Sequence, residues 1–141
     1  MSSRREQILA HIATTLGSTA GISTVYRSRM EAFSRDEAPA MVVEPIAEPP
    51  PREISTCKLD WTLQVAVVVH TRGAVSDTLA DPIIVSAHSL LMADRTLGGL
   101  AINIMPAGTD WQRDKADLAS LWMVNTYEVR YRTAAADLEA A

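Results

Sequence analysis

Apolar residues near the start of the chain fall at Ile8, Leu9, Ile12 and Leu16, one side of a helix. Ser3 and Glu6 stand ahead of them as an S-x-x-E capping box, and Gly17 closes the pattern. The spacing predicts a helix over 3–17. The period then changes. Residues 21–29, with Ile22, Val25 and Tyr26, read as a short strand carrying Arg27 and Arg29 on one face. Residues 31–37 are polar and read as a loop, and Pro39 leads into an apolar strand over 40–46. Pro45 puts that strand at a sheet edge or at its own end, because proline donates nothing to the ladder.

The longest regular pattern lies at 54–70. Leu59, Trp61, Leu63, Val65, Val67 and Val69 alternate with Asp60, Thr62, Gln64, Ala66, Val68 and His70. A period of two with one apolar face is a strand covering a core. Fully extended at roughly 3.3 Å per residue it would span about 55 Å, more than a small domain needs. Part of it should therefore protrude, bend at a bulge or pair outside the domain. Before it, Pro49, Pro50 and Pro51 read as a stiff surface loop between strands.

Past a turn at Gly73, a second helix is expected with Asp77 or Asp81 as cap and Pro82 in its first turn. Its stripe is Ile83, Ile84, Ala87, Leu90 and Leu91, and it should stop near Asp94–Thr96. Leu97-Gly98-Gly99 is a turn; Leu100, Ile102 and Ile104 begin a strand; residues 106–117 are polar, with a lone Trp111. Alternation returns over 121–132, with Tyr127, Val129 and Tyr131 on one face and Glu128, Arg130 and Arg132 on the other. Residues 133–141 have nothing apparent to hold them. The expectation is one α+β domain over 1–141, ordered over about 3–132 with a flexible tail. It has a single, mostly antiparallel sheet of about five strands and two helices packed on one face.

Size and composition narrow the function. The chain has 141 residues, 48% hydrophobic and 21% charged, which suits a globular domain able to fold without a staple. The net charge of −4 argues against a dedicated nucleic-acid binder. No apolar run approaches a membrane span and no signal peptide is visible, so no membrane partner is expected. The single Cys57 fits a reducing compartment and lacks the base and orienting group a nucleophile needs.

A search for reaction chemistry finds little. Gly98-Gly99 lacks dinucleotide-loop spacing, and there is no phosphate-loop motif. His11, His70 and His88 show no metal-ligand spacing, and Asp110, Asp114 and Asp117 read as a solvated acidic surface or a loose divalent-cation site. No catalytic, metal or cofactor residue is assigned. The positive charge is skewed, eleven Arg against two Lys. A planar guanidinium suits persistent pairing at interfaces, so the interface candidates are Arg27, Arg29, Pro50, Arg52, Arg130 and Arg132.

Several passages taken in order resemble the tail-terminator (minor tail protein U-like) proteins of long-tailed bacteriophages. They are Arg4-Arg5-Glu6-Gln7-Ile8, the strand at 25–29 followed by Ala38-Pro39-Ala40-Met41-Val42-Val43, and the long strand over 59–70. After them come Asp94-Arg95-Thr96-Leu97-Gly98-Gly99-Leu100-Ala101 and Tyr127-Glu128-Val129-Arg130-Tyr131. The resemblance covers about 4–132. It implies a small α+β subunit of a homo-oligomeric ring, typically a hexamer, at the head-proximal end of the virion tail. Such a ring stops polymerisation of the tail-tube protein and offers a surface to a neck or head-completion protein. It implies no catalytic residue and no cofactor. DNA would pass through the lumen without specific binding; six copies would carry 6 × (−4) = −24. The alternatives are another neck subunit, such as a head-closure or head–tail joining protein, and, in a different class, a small cytosolic α+β enzyme or ligand-binding domain.

Overall fold

A computed structural model describes residues 2–28, 38–113 and 115–140. Arg29, the loop expected over 31–37 and Asp114 lie outside the described residues. Along the chain run α1 (Arg4–Leu16), β1 (Val25–Arg27), β2 (Ala40–Ala47), β3 (Arg52–Ser55), β4 (Lys58–Arg72), α2 (Ser76–Met92), β5 (Asn103–Arg113) and β6 (Ser120–Ala134). One six-stranded sheet runs in the order β1-β2-β4-β6-β5, with β3 also paired to β4. Among the described residues only the β1–β2 pair is parallel; the others are antiparallel. The fold is α+β, with one strand more than the sequence pattern reveals.

Both helices pack on one face. Ile8, Ile12 and Leu16 of α1 and Ile83, Ala87 and Leu91 of α2 share a core with Leu63, Val65, Val67 and Val69 of β4, as the longest apolar faces predict. The alternating partners on β6, Met123, Tyr127, Val129 and Tyr131, complete it. The opposite face of the sheet is not uniformly polar. Val42, Ala66 and Val68 form a second buried cluster with partly buried Tyr26, Trp122 and Val124, and the His70 ring packs tilted against Trp122 with centroids 4.1 Å apart.

Several details depart from the sequence reading. Ser3 caps α1 by accepting from the Glu6 backbone N–H, but the Glu6 carboxylate turns away to pair with Arg27 at 3.2 Å, so only half the capping box forms. Neither Asp77 nor Asp81 caps α2: the helix starts at Ser76 after Val75, and Pro82 falls in the second turn. Its missing N–H leaves the Thr78 carbonyl without the usual helical donor. Residues 103–113, expected to turn polar at Pro106, continue as β5 to Arg113. Their sequence hides the strand because nothing covers it, every residue from 105 to 113 being exposed.

The three prolines lie in the connection between two strands, β2 and β3, as expected. They interrupt one long edge, since β2 lies along Gln64–His70 of β4 and β3 resumes alongside Lys58–Asp60. Pro45 sits where the register shifts, on an edge as expected. At the far end, β6 runs to Ala134, and residues 135–140 find backbone partners the sequence did not suggest. The Ala135 N–H bonds to the Cys57 carbonyl, and the Arg4 N–H to the Leu138 carbonyl.

The Leu97-Gly98-Gly99 turn has a clear cause. The Asp94 carboxylate accepts from the Gly98 N–H at 2.8 Å and from the Thr96 hydroxyl at 2.9 Å, and these bonds hold it below the usual carboxylate pKa. Gly98 has φ +71°, and a Cβ there would come within 3.2 Å of the His11 ring. Leu97, also left-handed, is thereby buried in the core.

Candidate functional site

Strand register decides which of the interface candidates meet. Directly paired residues share a sheet face, and Arg52 pairs with Asp60, which pairs in turn with Arg132. One row along, Thr62 pairs with Arg130 and Arg130 with Asn103. These side chains lie on the face away from the helices. Arg130 donates to the Asp60 carboxylate at 2.8 Å, with the Arg132 Nε 4.0 Å from its other oxygen, and Arg95 donates to Asn103 at 2.9 Å. Arg130 and Arg132 thus meet at one aspartate and Arg95 at one amide, with Arg52 opposite Asp60 in the register, making a basic field on an acidic chain. Arg130 and Arg132, candidates for contacts between subunits, already form ion pairs within the chain. Arg27 stands apart, tied to Glu6. Pro50 is exposed beside the row and Arg52 opens β3. Arg29 lies outside the described residues.

A second polar group escaped the sequence reading. Glu48, next to the prolines, accepts from the Arg5 guanidinium and from the Tyr131 hydroxyl at 2.5 Å. The Arg5 guanidinium also lies 5.8 Å from the centroid of Trp61, whose indole N–H bonds to Thr133. Burial, followed by the bond to Glu48, raises the Tyr131 pKa, so the phenol stays a neutral donor. This clasp pins the start of α1 to the interrupted edge and fixes where β3 emerges. Nothing in the pattern marks it except a carboxylate placed before three prolines.

Two surfaces on opposite edges of the sheet are left open. On one, residues 52–58 are all exposed, including Ile54 at 45% and the turn residue Cys57. On the other, α2 covers β4 and β6 but leaves the helix-side face of β5 bare. The resulting groove of about 350 Å³ has Met123, Asn125 and Tyr127 as its floor and Val85 and Thr109 on its rims. It continues past Met123 into a wider cleft between Trp111 and the start of α2, lined by Asp77 and Asp81. Val85 and Trp111 are 58% and 57% exposed, large apolar side chains facing water.

His88 meets the Tyr127 hydroxyl at 2.9 Å in the groove floor. Burial raises the Tyr127 pKa, so the phenol stays neutral. Among the described residues no carboxylate bonds to either, and no group of three or more His, Cys, Asp or Glu could hold a metal ion. No helix among them is long and apolar enough to cross a membrane.

No protein-family model matches the chain, and no curated protein matches it. A solved structure described as "Virion of native gene transfer agent (GTA) particle" contains a chain similar to this one. The likeness covers 93% of this chain and 92% of that one, at 12% identity and a TM-score of 0.45.

Proposed function

We propose that this chain is a non-enzymatic structural protein of a phage virion, the tail terminator. The observation that carries the reading is the pair of unlike open surfaces on opposite edges of one sheet, the 52–58 hairpin and the β5 edge with its groove. A subunit with two different open sides adds copies head to tail, and such addition closes into a ring when the rotation per step divides a full turn. The resemblance of the chain to tail-terminator proteins supplies the place of that ring. It sits in the virion at the head-proximal end of the tail, where it ends tube growth and docks a neck or head-completion protein. It assembles in the host cytoplasm. A hexamer would carry a formal charge of −24, which lets DNA pass through the lumen without sticking.

The test is to add the purified protein to polymerising tail-tube protein and measure tube length by electron microscopy, with mass by light scattering alongside. Shortened tubes with a ring at one end are the expected result. A monomer at every salt concentration, with tubes unaffected, would sink the reading.

A further inference from the structure

We infer that the hairpin of one copy, residues 52–58, seats in the groove between α2 and β5 of the next copy. The inference rests on the ring reading and names the contact that builds the ring. Its partner is a second copy of this chain, argued from complementarity in both charge and polarity. The hairpin carries Arg52 and Lys58, neither with an ion-pair partner among the described residues, against one carboxylate, Glu53, so it is net basic, and it exposes Ile54. The cleft carries Asp81, also without an ion-pair partner among the described residues, and Asp77, whose carboxylate is 4.0 Å from Arg113. Trp111 in the same cleft and Val85 in the adjoining groove are apolar and face water.

Basic and apolar on one edge thus answer acidic and apolar on the other. The match is heterologous, since neither surface complements itself, so it propagates around a ring and does not stop at a dimer. The hairpin is also firmly presented. Prolines stiffen its root, Glu48 anchors that root to Arg5 and Tyr131, and the Cys57 carbonyl is held by the Ala135 N–H. Binding therefore costs little ordering entropy. Trp111 is the expected anchor, because exposed tryptophans that become buried dominate interface energies.

The native Cys57, exposed at the tip of the hairpin, provides the test. Val85→Cys, at an exposed helix position, places a second thiol on the groove rim. Under mild oxidation it should give a ladder of disulfide-linked species on a non-reducing gel, ending at the copy number of the ring. The wild type, with Cys57 alone, can link no further than a dimer, and Val85→Cys combined with Cys57→Ser should give no ladder. Independently, Asp81→Arg and Arg52→Asp should each weaken assembly by about tenfold or more, and the double variant should recover most of the loss. Trp111→Ala should weaken it at least as much. A wild type that forms rings by mass, while Val85→Cys gives no ladder and the charge swaps leave assembly unchanged, overturns the contact but leaves the ring standing. A wild type that stays monomeric even with tail tubes overturns both.

Discussion

The two halves of β4 alternate with the same period yet live in different surroundings. From Leu63 to Thr71 nearly every residue is buried, on both faces of the sheet, with the helices on one side and the Val42–Ala66–Val68 cluster on the other. From Lys58 to Thr62 only the helix side is apolar, and the other carries Asp60 among arginines. A period of two says that a strand has two faces; what lies above each face decides whether it is core. The first half of the strand is free to serve as a recognition surface because the second half supplies the stability.

Val65→Asp should break the stabilising half outright. Val65 is fully buried between sheet and helices, and an unpaired carboxylate there costs several kcal/mol, much of the roughly 5–15 kcal/mol that holds a domain. Loss of the folded circular dichroism signal at 25 °C is expected; a soluble variant melting like the wild type would place that face outside the core. Val68→Asp tests the second face. Val68 is 6% exposed, so a loss of about 2–4 kcal/mol is expected by urea denaturation. An unchanged midpoint would show that the helix-free face is surface after all.

Glu48→Ala acts at the recognition end. It strips the acceptor from Arg5 and Tyr131 and should cost about 1–3 kcal/mol. If the clasp merely decorates the surface, thermal melting will not register the change.

His70 gives a gentler, pH-dependent contrast between the halves. Burial lowers its folded-state pKa below 6.5, so at pH 6.5 and below the unfolded chain takes up a proton that the folded chain resists. Stability should therefore fall as the solution is acidified from pH 6.5, with no contribution from this group above it. His70→Gln should flatten the slope, and an unaltered slope would assign it to other groups. The smallest effect belongs to Arg130→Ala: an ion pair with a half-exposed arginine contributes about 1 kcal/mol or less, so melting should barely move.

What the sequence made legible follows the same division. Where a strand or helix faces a core, as in α1, β4 and β6, periodicity announced it, because burial selects apolar residues at fixed spacing. Where an element faces water, the signal vanished. Residues 52–53 and 106–113 do not read as strand in the sequence because nothing packs on them, although their backbones complete the sheet. The arginines stood out by composition, but their meeting at Asp60 depends on register across three strands. The groove belongs to three segments, on α2, β5 and β6, that come together only after folding.

The prolines at 45, 49, 50 and 51 have a further consequence for how subunits behave before assembly. An open sheet edge is a template on which any extended chain can anneal, the route to fibrils and tangled aggregates. Four positions along this edge have no N–H to offer, and the register shift at Pro45 breaks the regular spacing a foreign strand would need. This edge therefore resists sticking by backbone alone, and side-chain fit is left to choose what binds there.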